Sequence, residues 1–162
     1  MTEIVLMRHG HALSEREAGV LLDSERPLSA LGEREALETA MHLSASGFVP
    51  DLIISSPFLR AGRTAEIAAG VFPGAARQTS PVISDGPLQA LLELVLRSFP
   101  DGPRALLVGH QPLIGAAAGC LLGEDSFGLS PAGFVRLNLV GKPGSGTLVE
   151  FYTPPLPKVK SR

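Results

Sequence analysis

Three short stretches of this chain put a cationic or imidazole side chain directly after an apolar run. They are Ile4-Val5-Leu6-Met7-Arg8-His9-Gly10-His11, Ser55-Ser56-Pro57-Phe58-Leu59-Arg60-Ala61 and Leu106-Leu107-Val108-Gly109-His110-Gln111-Pro112. A guanidinium is a planar fork that matches phosphate or carboxylate oxygens. A neutral imidazole, with an ordinary pKa of about 6.5, is a nucleophile or a hydrogen-bond donor at neutral pH. Together these groups can hold an anion and attack it. Arg-His-Gly alone is a common tripeptide, so the weight lies on the same design recurring three times. Open α/β sheets bind ligands at the C-terminal ends of their parallel strands, which would set Arg8 and His9 at a crevice. Gly10 lets the chain turn there, or lets a ligand come close.

The elements needed to deliver these residues are legible in the alternation of apolar runs and helical patterns, which predicts an α/β domain with a mostly parallel sheet. Residues 3–8 read as the first strand. Ser29 caps a helix reaching about Ser46, with Leu31, Ala36, Leu37, Ala40 and Leu43 near helical spacing, and Gly47 stops it. Leu52 to Ser55 is a second buried strand, and Pro57 opens a helix to about Val71. Val82-Ile83 reads as a weaker strand. Pro87 opens a helix to about Ser98 with Leu88, Leu91, Leu92, Val95 and Phe99 inward, Ala105 to Gly109 is a strand, and Pro112 to Leu122 a helix. Phe134 to Val140 alternates with period two, turns over Lys142 to Gly146, and returns over Thr147 to Tyr152 as an edge hairpin. The expectation is one three-layer domain over residues 1–153, a mostly parallel central sheet flanked by helices with a C-terminal edge hairpin. The proline-rich tail 154–162 reads as loose.

Composition narrows the function classes. A chain of 162 residues with 44% apolar content can bury one sizeable core. Its net charge of −2 supplies no broad cationic field, which argues against nucleic acid or an anionic membrane as the main partner. Cys120 is the single cysteine, so no disulfide closes within the chain and no thiolate zinc cluster is available. It reads as a small packed helix residue. The apolar stretch around it, 113–122, is too short to span a bilayer. Glu3 stands where a signal peptide wants positive charge, so a cytoplasmic location is the expectation.

Arg8-His9-Gly10, then Ser56-Pro57-Phe58-Leu59-Arg60-Ala61 with Thr64-Ala65, then Val108-Gly109-His110, each after a strand, resemble the histidine phosphatase superfamily. Arg26-Pro27-Leu28-Ser29 and the Ser-Pro-Phe-Leu-Arg-Ala run are most similar to its small phosphohistidine phosphatase branch, known as SixA. The resemblance implies that His9 attacks phosphorus and is transiently phosphorylated, that Arg8 and Arg60 bind the phosphoryl group, and that His110 donates a hydrogen bond to it. It implies no cofactor and no metal. The N-terminus of the helix near Pro112 would add a weak positive dipole.

Larger members of the family carry an acid that protonates the leaving oxygen, and Asp85 stands in roughly the corresponding place; the small branch has no clear counterpart. An imidazole leaving group, with a pKa near ~6.5, needs far less acid assistance than an alkoxide resembling water near ~15.7. His11 and Arg63 are candidates for the pocket rim. His42 and the run Glu33, Arg34, Glu35 and Glu38 read as structural or exposed. Only about ten residues separate the Pro57 helix from Val82-Ile83, which leaves little room for a lid there and predicts an open site. That favours a phosphohistidine on another protein as substrate. The alternatives are a phosphatase or mutase for a small phosphate ester, which Asp85 would favour, and a non-catalytic phosphate-binding module. A metal hydrolase built on His9, His11 and His110 lacks a carboxylate cluster, and two arginines would repel the cation. The oligomeric state stays open.

Overall fold

The computed structural model describes residues 2–99 and 101–155. Strands β1 (Thr2–Arg8), β2 (Leu52–Ser55), β3 (Ala76–Thr79) and β4 (Ala105–Gly109) pair in parallel, and β5 (Phe134–Leu139) and β6 (Thr147–Tyr152) form an antiparallel hairpin. They make one sheet in the order β3-β2-β4-β1-β5-β6, with β5 antiparallel to β1. The helices are α1 (Glu15–Ala18), α2 (Ala30–Ala45), α3 (Leu59–Val71), α4 (Val82–Asp85), α5 (Leu88–Ser98) and α6 (Leu113–Leu122), and a 3-10 turn covers Asp23–Glu25.

Period-two alternation splits the central strands between two cores. Ile4, Leu6 and Leu107 face α5 and α6, where Leu91, Val95, Ile114, Ala118 and Leu121 meet them. Val5, Met7, Leu106 and Val108 face α2 and α3, where Leu43, Ala61, Ala65 and Ala68 let the helices lie close. Because both faces are covered, β4 is buried at every position, and its sequence reads as a continuous apolar run rather than an alternating one. Each such Leu or Ile contributes about 2 kcal/mol by leaving water.

The α/β class, the three layers and the edge hairpin agree with the sequence reading, and so do the Ser29 cap, whose Oγ accepts from Gly32 N, and the stop at Gly47, where φ is 86°. One strand differs. Val82-Ile83 lies in α4, whose start follows Pro81; a single buried Ile83 is all the apolar signal there is. The strand in this part of the chain is β3, Ala76-Arg77-Gln78-Thr79, exposed at every position on the sheet edge. An edge strand with no covered face carries no hydrophobic pattern, which is why it escapes sequence reading. The helix expected from Pro57 begins at Leu59, because Ser56 Oγ accepts from Phe58 N and holds Pro57 in a turn. Residues 11–28, between β1 and α2, contain α1 with a Ser14–Glu17 capping box and the 3-10 turn. The ends of this segment are tied by a bridge between Ala12 and Leu28. Of the tail 154–162, residues from 156 on lie outside the described residues. Among the described residues no helix is long and apolar enough to cross a membrane.

Candidate active site

The parallel register sets Arg8 opposite Gly109, so the residues that follow, His9 and His110, leave the sheet side by side. His9 N donates to Gly109 O at 3.0 Å, and the two rings lie 5.1 Å apart between centroids. Each histidine is 8% exposed. Behind His9, Gly10 N donates to Thr64 Oγ1 at 3.1 Å, and Thr64 Oγ1 donates to Arg60 O at 2.8 Å, which fastens the end of β1 to the first turns of α3. A Cβ at Gly10 would stand 2.6 Å from the carbonyl oxygen of Gly32, and one at Gly32 would run into the carbonyl of His11. The start of α2 and the turn after β1 therefore meet backbone to backbone.

His9 Nδ1 lies 2.7 Å from Gly10 O. A carbonyl only accepts, so Nδ1 carries the proton and Nε2 presents its lone pair. Arg60 Nε donates toward that lone pair at 3.3 Å. The other Arg60 nitrogens are held by one residue: Nη1 donates to Asp23 O at 2.7 Å and Nη2 to Asp23 Oδ2 at 3.0 Å. The guanidinium also lies 5.2 Å from the Phe58 ring centre, and Phe58 packs on His110 at 4.9 Å.

His110 Nε2 lies 2.7 Å from Ser56 Oγ, which already accepts from Phe58 N. Among the described residues the Ser56 hydroxyl has no other acceptor, so its O–H donates to Nε2 and the proton of the neutral ring sits on Nδ1. Nδ1 is buried with no protein partner, as is Arg8 Nε, while Arg8 Nη1 donates to Leu129 O at 3.0 Å. Two buried donors without acceptors cost about 1–3 kcal/mol each, a cost that an anion would relieve.

Burial sets the electrostatics. It drives His9 down to about 3, helped by His110, Arg60 and Arg8 and opposed by the Gly10 carbonyl. His110 is lowered to about 4 by burial and Arg60, against the pull of Asp23 and Asp85. Both rings are neutral at pH 7. Burial and Arg60 lower Arg8, and Glu35 partly restores it. Burial pushes Asp23 upward, but hydrogen bonds from Arg26 and Arg60 outweigh this and hold its carboxyl below the usual range.

Arg8, His9, Arg60 and His110 thus converge from three chain segments. Asp85 ends α4 on the surface, near enough to act on His110 through its charge. His11 points away, its Nδ1 2.7 Å from Ser29 Oγ and its backbone N–H on Glu35. Arg63 is committed to Glu33 through Nε and Nη2 and to Glu66 through Nη1. It borders a separate groove of about 340 Å³ walled by Pro27, Leu28, Pro57, Phe58 and Leu59. His42 pairs with Glu150 and stacks on Tyr152, and belongs to the packing of β6. Asp23 escaped the sequence reading because it sits in a polar segment with no periodicity. Its one signal is Arg26, three residues on, which donates to Asp23 Oδ1 at 3.0 Å.

Residues 4–83 match the family model of the histidine phosphatase superfamily (branch 1). An uncharacterized protein of Picosynechococcus is 37% identical over 117 residues, covering 70% of this chain and 68% of that one. Among solved structures, the protein histidine phosphatase SixA complexed with tungstate superposes with a TM-score of 0.83 at 23% identity, over 94% of this chain and 97% of that one. The SixA chain from Agrobacterium tumefaciens gives 0.82 at 25% identity, over 94% and 98%. A phosphoserine phosphatase of Entamoeba histolytica shares the fold at lower similarity, with a TM-score of 0.67 and 20% identity over 94% and 98%. The chain belongs to the histidine phosphatase superfamily.

Proposed function

We propose that this protein is a metal-independent phosphatase that hydrolyses phosphohistidine on a protein through a phospho-His9 intermediate. The observation that carries the reading is the state of the groups around His9 Nε2. The ring is neutral, its proton is fixed on Nδ1 by Gly10, and Nε2 keeps its lone pair beside Arg60, with Arg8 and His110 close enough to act on the ring. Phosphoryl transfer asks mainly for such positioning and for charge stabilisation on the equatorial oxygens. Nε2 attacks phosphorus, the electron pair of the substrate P–N bond returns to the leaving imidazole, and that ring takes a proton from solvent. Water then attacks phospho-His9, releasing inorganic phosphate and restoring the neutral ring.

The substrate class follows from the acid. The carboxylate that touches the site, Asp23, is hydrogen-bonded by Arg60 and Arg26 and stays ionised at neutral pH, so it has no proton to give an alkoxide. An imidazole leaving group needs far less acid assistance and can take its proton from solvent. Exposed Leu21 and Leu22 precede Asp23 in the chain and exposed Leu59 precedes Arg60, apolar side chains that suit contact with a protein surface. A second reading, hydrolysis of a small phosphate ester, is favoured by Asp85, whose charge reaches His110.

His9→Ala is expected to abolish both turnover and the trapping of acid-labile phosphate on the enzyme, read by 31P NMR after mixing with a phosphohistidine protein. Wild-type turnover in that variant overturns the mechanism. A higher kcat/KM for a sugar phosphate than for phosphohistidine overturns the substrate class and promotes Asp85, whose replacement by Asn would then be the damaging one.

A further inference from the structure

We propose that Asp23 is a positioning residue of this site: it holds the Arg60 guanidinium across His9 in the resting protein and competes with the phosphoryl group for it. This rests on the reading of His9 Nε2 as the attacking nitrogen. Arg60 has three nitrogens, and Asp23 takes the outer two, one with its backbone carbonyl and one with its carboxylate. With both ends fixed the fork cannot rotate, and the remaining Nε–H is aimed at the lone pair of His9 Nε2. A planar donor held in this way needs no reorganisation when charge develops beside it.

The holder is itself held. Asp23 Oδ1 accepts from Arg26 Nη1, and Arg26 Nε donates to Leu13 O at 2.8 Å, in the segment that leaves the end of β1. Leu13 N in turn donates to Pro27 O at 3.0 Å. The 3-10 turn packs on α3, so the chain on either side of the pocket is braced through Asp23. Its carboxylate is half exposed, whereas the Arg60 side chain is buried. A partner at the surface can be displaced from a buried cation by a dianion.

Two effects of opposite sign follow. The carboxylate orders Arg60, which favours turnover. It also places a negative charge on the cation that the phosphoryl group must use, which opposes ground-state binding of anions. Asp23→Asn keeps the shape and the main-chain carbonyl but removes the charge. We expect kcat for hydrolysis of an aryl phosphate to fall about tenfold, and orthophosphate, measured by calorimetry, to bind about threefold more tightly. Asp23→Glu keeps the charge on a longer stem. Its kcat should fall while orthophosphate affinity stays within about twofold; this variant also serves if the Asn variant does not fold, as judged by thermal unfolding.

Unchanged kcat in the folded variants overturns the proposal. So does a parallel loss of kcat and orthophosphate affinity, which is the mark of a merely structural residue. The orthophosphate arm needs no turnover and the aryl phosphate no particular natural substrate. Failure to hydrolyse phosphohistidine would therefore strike the substrate reading and leave this one standing.

Discussion

Two arginines in this fold are buried with the same equipment and do different work. Arg136 on β5 is 10% exposed, pairs through Nε with Glu3 on β1, donates from Nη1 to the carbonyl and hydroxyl oxygens of Ser46 and lies over Phe48. Arg60 is 7% exposed, pairs with Asp23, donates to a backbone carbonyl and lies over Phe58. The difference lies in the partners. Glu3 sits on a central strand and is 22% exposed, so Arg136 is held through Nε and Nη1 and pins β5 to the end of α2. Asp23 is 50% exposed on a turn, and Arg60 keeps its last donor for the lone pair of an imidazole. A buried arginine becomes chemical when its counter-ion can yield and one of its donors faces a reactive atom.

The sharpest way to break this comparison is to remove each arginine in turn. Arg60→Ala should lower kcat/KM about a thousandfold, the usual consequence of losing a transition-state donor, while unfolding in urea changes little, because Asp23 keeps Arg26. Arg136→Ala should do the reverse. Leaving Glu3 without its partner in a covered setting costs about 3 kcal/mol of stability, with kcat/KM within about twofold of wild type. If Arg136→Ala disables the enzyme as strongly as Arg60→Ala, the two sites are not distinct.

Acid sharpens the comparison further. His9 and His110, beside Arg60, have folded-state pKa values of about 3 and about 4, below the ordinary histidine value. As pH falls below about 6.5 the unfolded chain binds protons on these rings and the folded chain does not, so stability is complete above that pH and is lost as pH drops toward 3. The loss should reach about 6 kcal/mol by pH 4 in denaturant titrations, and His9→Gln should remove about half of it. By NMR neither ring should titrate between pH 5 and 8 without phosphate. The smallest effect belongs to Arg63, whose partners Glu33 and Glu66 are exposed. Arg63→Ala should cost less than about 1 kcal/mol and leave turnover unchanged. A marked loss of kcat would draw the neighbouring groove into the site.

What could be read from the sequence was what burial writes into it. β2 and β4 are apolar runs ended by residues that bear the chemistry, and the chain cannot hide such strands. β3 has no covered face, so Arg77 and Gln78 look like loop. Arg8 ends β1, His9 and His110 follow β1 and β4 at once, and Arg60 lies in the first turn of the helix after β2, and that clustering at strand ends exposed them. Asp23 acts through contacts that close only when residues 11–28 fold over α3, and nothing in its own neighbourhood announces a partner as distant in the chain as Arg60. Ser56 stood within a recognised run, but its task, deciding which nitrogen of His110 bears the proton, is a matter of hydrogen-bond direction that residue types do not record.

The contact between Gly10 and Gly32 has a consequence for anyone altering this enzyme. A library that spares only the side chains reaching into the pocket would treat both positions as free, since neither has a side chain to contribute. A single methyl group at either would wedge α2 off the turn that carries His9, and with it the seam joining that turn to Arg60 through Thr64. The tolerance of the mounting of His9 is thus set by two atoms that are not there. The region most hostile to redesign is a patch of bare backbone behind the imidazole.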